Sequence, residues 1–158
     1  MSELDTRPNR FPWPPVLYLA AIGASLVLDW LVPLAWIGPP LSDILFAVGV
    51  VTLIGVVLID VSAMRTLARA KTTIMPHRGS DHLVTGGPFA FTRNPIYLAN
   101  TLLMIGIGLM AGIVWFLVLA VVAAFATQKL AIEREERHLT ARFGKKYRDY
   151  AKKVRRWI

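Results

Sequence analysis

DHLVTGGPFAFTRNPIY, Asp81–Tyr97, is the stretch from which the rest of the chain is best read. It is polar and turn-rich, and it runs straight into an apolar block. Gly86-Gly87-Pro88 forces a turn, because glycine tolerates positive φ and proline holds φ at about −65°. Asn94-Pro95 reads as a helix start, with Asn94 as N-cap and Pro95 at the first helical position. His82, Arg93 and Tyr97 then fall where a polar loop meets a hydrophobic helix. On local signals alone the stretch reads equally well as a capped connecting loop or as part of a site.

Working outward, both flanks predict membrane helices. The chain has 158 residues, 55% of them hydrophobic, with a mean hydropathy of +0.51 and only 18% charged. Val16–Ile37, containing Asp29 and Pro33, is a first span of about 20 residues, the length a hydrocarbon core requires. Gly38-Pro39-Pro40 turns the chain into a second span, Ile44–Ala63. Residues 65–95 make a long polar loop. Ile96–Met110 and Ile113–Gln128 form a helical hairpin turning near Gly108–Gly112, its first arm short for a full crossing. The expected architecture is one all-α integral membrane domain, 1–158. It comprises a tail (1–15), two spans (16–64), the loop (65–95), the hairpin (96–128) and C-terminal amphipathic helices (129–158). The acids and prolines ahead of the first apolar run do not resemble a cleavable signal peptide. Without cysteine, disulfide and thiol chemistry are excluded.

The net charge of +8 is informative through its placement. Lys and Arg occur before residue 11, between 65 and 93, and after 128, and nowhere else. That is the positive-inside pattern, and it places the loop and both termini on the cytoplasmic face. A basic tail directly after a membrane helix meets anionic headgroups more simply than nucleic acid. Asp29 and Asp60 lie within the apolar part, where an acid facing lipid is costly. Interhelical or boundary hydrogen bonds and contact with a ligand are both open to them.

After Gln128 the pattern turns amphipathic. Ile132, Leu139, Phe143, Tyr147, Tyr150 and Val154 recur at spacings of 3, 4 or 7, one face of a helix, with Lys and Arg opposite. Gly144 predicts a break into two pieces. A helix lying on the membrane surface explains the stripe and the charges. It does not explain Glu135, four residues before Leu139 and so on the apolar side. A carboxylate there needs a partner, either a loop arginine or the ammonium of a ligand.

The start of the hairpin offers free N–H groups and a positive dipole end, suited to an anion. The tail offers a carboxylate suited to a cation. A pocket between them suits a zwitterion such as an amino-acid head group, with hydrophobic walls open towards the bilayer. The three histidines, His77, His82 and His138, lack metal-ligand spacing, and no metal site is expected. No nucleophile elbow, P-loop or GxGxxG is present.

HLVTGGPFAFTRNPIY, followed at a distance by EREERHLTARFGKKYRDYAKKVRRW, resembles the isoprenylcysteine carboxyl methyltransferase and phospholipid methyltransferase group, in its bacterial branch. The first motif is met at Gly87, Pro88, Phe89, Arg93, Asn94, Pro95 and Tyr97. The second is met at Glu135, Glu136, Leu139, Phe143, Gly144, Tyr147, Tyr150 and Val154. Together they cover roughly half the chain. The resemblance implies an integral enzyme of the bacterial inner membrane that uses S-adenosylmethionine. It implies cofactor contacts at Asp81, His82, Leu83, Val84, Gly87, Phe89, Asn94, Pro95, Ile96 and Tyr97, with Glu135 on the methionine ammonium. Arg93 would neutralise a carboxylate or phosphate, or brace the loop. Glu136 or His82 would assist an amine acceptor in losing its proton. The chain departs from the group at Asp81 and Asn94, where the prenylcysteine enzymes carry His, and at Ala131, where they carry Arg.

The implied function is methyl transfer to a small or lipidic acceptor, a carboxylate, amine or thiol, drawn from the membrane. Two other readings predict different behaviour. A small membrane scaffold or assembly protein would bind no cofactor and would tolerate change at Tyr97 and Glu135. A nicotinamide-dependent reductase would need the additional spans of the sterol reductases, which this chain lacks.

Overall fold

The structure, a computed structural model, describes residues 13–70 and 83–158. Six α-helices account for most of it, and the described residues contain no strand. Helix α1, Trp13–Leu31, starts at Trp13-Pro14-Pro15, where prolines in a first turn sacrifice no helical hydrogen bond. It ends short of the expected Ile37. Pro33 supplies no N–H and disfavours helical geometry at Val32, whose own N–H makes the last bond, to the Leu28 carbonyl at 2.7 Å.

Helix α2, Leu41–Arg69, runs past Ala63, where the second span was expected to end. Arg65, Thr66 and Arg69 end the apolar run without breaking the helix, because none is a strong breaker. The polar loop is correspondingly shorter than 65–95. A 3₁₀ turn, Gly87–Ala90, precedes α3, Pro95–Ala111. Gly112, at φ 71°, ends α3 in the left-handed conformation glycine permits and turns the chain into α4, Val114–Thr127. A five-residue π turn, Gln128–Ile132, joins α4 to α5, Glu133–Phe143, so that Val114–Phe143 is one 30-residue helical rod. Gly144, at φ 55°, makes the expected break before α6, Lys145–Lys153.

Three of these helical rods, Trp13–Leu31, Leu41–Arg69 and Val114–Phe143, are long and apolar enough to cross a membrane. Helix α3 has 17 residues. At 1.5 Å per residue that is about 25 Å, short of a hydrocarbon core of about 30 Å. Large apolar side chains such as Leu19, Val51, Val121 and Phe125 are exposed, as a lipid-facing surface requires. The protein is an all-α integral membrane protein.

Helix α3 packs against both α2 and α4, and α1 packs against α4. The α2–α3 crossing is made by Gly49 and Gly106. A Cβ on Gly49 would stand 2.9 Å from the Gly106 carbonyl oxygen, closer than packing allows. Small residues at such crossings let backbones approach where lipid offers no hydrophobic drive. Tyr18, Met104, Phe116, Ala120 and Ala123 form the buried core between α1, α3 and α4. Its polar anchor is the Tyr18 hydroxyl, 2.6 Å from Thr101 Oγ1 and donating to the Tyr97 carbonyl at 3.2 Å. This pins α1 to the first turns of α3, where the polar residues gather.

Candidate functional site

A cavity of about 240 Å³ opens at this end of the bundle. Leu83, Val84 and Phe89 of the loop, Arg93 to Tyr97 at the start of α3, and Glu135 and Glu136 of α5 all line it. Ten of the thirteen expected site residues are therefore brought together from segments about forty residues apart in sequence. Gly87 is not in the lining. It sits at φ 59° against α2, where a Cβ would crowd the Thr66 side chain, so glycine is needed there for close approach. Asp81 and His82 lie outside the described residues.

Glu135 borders the cavity, and its Oε2 accepts a hydrogen bond from the Tyr97 hydroxyl at 3.3 Å. None of the ion pairs among the described residues reaches it. A half-buried carboxylate at a cavity wall ordinarily has a compensating charge, and among the described residues Glu135 has none.

Its neighbour Glu136 is fully engaged. Arg156 donates to it through Nε at 3.0 Å and Nη2 at 2.7 Å, a two-pronged pair. Arg93 Nη2 approaches Glu136 Oε1 at 3.2 Å from the other side. Arg93 Nη1 also donates to the Tyr147 hydroxyl at 3.4 Å, while its Nε is buried with no acceptor among the described residues.

Asn94 departs from the expectation in an instructive way. It precedes α3, but its side chain makes no capping bond. Its backbone N–H donates to Thr92 Oγ1 at 3.2 Å, and its Nδ2 donates to the Arg156 carbonyl at 2.9 Å. The same carbonyl accepts from Thr92 Oγ1 at 3.2 Å, and the Arg93 N–H donates to the Arg155 carbonyl at 3.0 Å. Trp157 Nε1 donates to Gln128 Oε1 at 2.9 Å. The last residues of the chain are thus stitched to the start of α3 and to the π turn.

Tyr147 and Tyr150 complete one wall, with ring centroids 6.2 Å apart in an edge-on arrangement. The Tyr150 hydroxyl donates to the Phe89 carbonyl at 2.6 Å and holds the loop in place. Burial pushes both phenols up to about 12, so they stay neutral donors at physiological pH.

Pro14, Pro15, Leu67 and Asn100 also line the cavity and were not anticipated as site residues. Asn100 had a signal, since it lies three residues after Tyr97 on the same face of α3. Leu67 was hidden by the supposed end of α2. Arg156 had none, because its partners lie 20 to 64 residues away.

The chain is an apolar helical membrane bundle with a cavity at one end, mostly apolar in lining, with Arg93, Asn94, Glu135 and Glu136 among its polar groups and its C-terminal helices forming part of the wall. The chain belongs to the phospholipid methyltransferase family, whose model matches residues 44–146. That stretch runs from α2 to the start of α6. The nickel-cobalt-cadmium resistance protein NccN of Alcaligenes xylosoxydans xylosoxydans is 37% identical over 78 residues, 49% of this chain. The matched region is 36% of that relative's length, about a third of it. No solved structure matches the chain.

Proposed function

We propose that the cavity binds S-adenosylmethionine and that the protein transfers its methyl group to a small or lipidic acceptor at the cytoplasmic membrane face. The observation that carries this reading is Glu135, a carboxylate at the cavity wall with a hydroxyl donor but no cation beside it among the described residues. An amino-acid ammonium supplies the missing charge. Family membership and the one-sided placement of Lys and Arg support the reaction class and the face.

Bound there, the cofactor would supply a methyl group activated by a positively charged sulfur, with a neutral thioether as its leaving group. The protein's task is then orientation and exclusion of water. Glu135 holds the ammonium, and Tyr97 fixes the carboxylate. Leu83, Val84, Phe89, Ile96 and Leu139 provide dry walls. Asn94 and Pro95 hold the cofactor at the helix start. Arg93 and Glu136 position α3 against α5, and with both carboxylate oxygens engaged by guanidinium groups Glu136 is poorly placed to take a proton. A carboxylate acceptor needs no base, whereas an amine acceptor passes its proton to His82 or to water.

The test is cofactor binding by purified protein in detergent, followed by mass spectrometry of membranes incubated with methyl-labelled cofactor. Saturable binding that is lost in Glu135→Ala, together with a labelled product, is expected. Absence of binding by the unaltered protein, or unchanged binding in Glu135→Ala, overturns the reading.

A further inference from the structure

A second cleft lies between α5 and α6, on the other side of the Arg93–Glu136 pair. It is lined by Arg93, Arg137, Arg148 and Arg156 with Glu133 and Glu136, and Arg93, Glu136 and Tyr147 belong to the walls of both cavities. Its two carboxylates are already matched. Glu133 pairs with Lys129 at 2.8 Å and stands 3.9 Å from Arg156, and Glu136 is held by Arg93 and Arg156. Arg137 and Arg148 form no ion pair among the described residues, so their charge is left over. Arg93 Nε is a buried donor without an acceptor there, and the Tyr147 hydroxyl, which accepts from Arg93, still has its own proton to donate. Ala141 and Ala151 in the lining leave room between the arginines.

We propose that this cleft binds the phosphate of an anionic lipid headgroup. Guanidinium forks match phosphate oxygens in pairs, and several around one cleft suit a phosphate better than a single carboxylate. The depth argues for a lipid source. Along the continuous rod from Val114, Arg137 stands about 35 Å away, at 1.5 Å per residue. That is just beyond a hydrocarbon core of about 30 Å and within a bilayer of about 40–45 Å including headgroups. Occupancy would secure α5 against α6 behind the wall that also faces the cofactor cavity. The site is distinct from methyl transfer, and its test reads lipid binding alone.

Native mass spectrometry of the full-length protein, delipidated and then titrated with phosphatidylglycerol or phosphatidylcholine, measures it. One phosphatidylglycerol is expected to bind in preference to phosphatidylcholine. Arg137→Gln/Arg148→Gln should weaken it at least about tenfold, as loss of charge-assisted hydrogen bonds implies. Lys152→Gln/Lys153→Gln removes the same charge from exposed positions on α6 outside the cleft and should leave binding within about threefold. Arg148→Gln alone serves if the double variant does not fold, with weakening again expected. Equal weakening by the lysine pair, equal binding of phosphatidylcholine, or displacement of the lipid by millimolar inorganic phosphate overturns the proposal, the last by identifying free phosphate as the ligand.

Discussion

Tyr97, in the first turn of α3, donates its hydroxyl proton to Glu135 on α5 at 3.3 Å. The carbonyl of the same tyrosine accepts from Tyr18 of α1 at 3.2 Å and from Thr101 at 3.0 Å. One residue therefore joins α1 and α3 to the carboxylate on α5 that faces the cavity. Removing the carboxylate deletes the charge partner of a bound ammonium, whereas removing the hydroxyl only loosens it. Glu135→Gln should weaken S-adenosylmethionine binding by about 10- to 100-fold, the range for a hydrogen bond to a charged group. Tyr97→Phe should weaken it by about threefold to tenfold. Isothermal titration in detergent measures both, and equal effects would contradict the division of roles.

The clamp of Glu136 between Arg93 and Arg156 predicts a stability phenotype. The Arg156 side chain is about a third exposed, which discounts the pair towards the surface value. Arg156→Ala should cost about 1–2 kcal/mol and lower the melting midpoint by several degrees. Glu136→Ala on that background should cost less than it does alone, because one of its two arginine partners is already gone. Strictly additive losses in a double-mutant cycle would show that the two side chains do not act as a pair.

The glycines of α2 and α3 should separate by what they face. Gly49→Ala meets the Gly106 carbonyl at 2.9 Å and Met110 Cγ at 2.7 Å, and should destabilise by about 1–3 kcal/mol. Gly106→Ala meets the end of the Leu53 side chain, which can swing aside, and should cost less. Gly55→Ala has nothing within 4 Å and should be neutral or stabilising. Thermal unfolding of the three variants checks the order.

Alkaline pH should loosen the C-terminal wall. Burial raises Tyr147 and Tyr150 from their ordinary value of about 10 to about 12. Their contribution is complete below pH about 10 and is lost as pH rises towards about 12, because ionisation is then easier in the unfolded chain. Tyr150→Phe should melt lower at neutral pH, having lost its bond to the Phe89 carbonyl, and should fall less steeply across pH 10–12. Melting curves over that window, compared with the unaltered protein, decide the point.

Much of this architecture follows from local chemistry. Apolar runs of membrane length, the turn glycines, the break at Gly144 and the amphipathic stripe each depend on residues within a few turns of one another. Glu135 was conspicuous for the same reason, as a carboxylate on an apolar face. Helix ends were less readable, since loss of hydropathy at Arg65 marks an exit from the apolar layer and does not unwind α2.

The tertiary structure decided what each polar side chain does with its hydrogen bonds. Asn94 and Glu136 had roles assigned by type and position, one as a cap and one as a proton acceptor. In the folded chain, Asn94 ties α3 to the Arg156 carbonyl, and both oxygens of Glu136 are taken by arginines. Gly87 serves close packing against Thr66. These partners lie about 20 to 60 residues apart, where no periodicity links them. Composition and period therefore determined a helical membrane protein with a basic, polar end. Packing alone determined which carboxylate faces the cavity with no cation beside it among the described residues: Arg93 and Arg156 converge on Glu136, and Glu135 points to Tyr97.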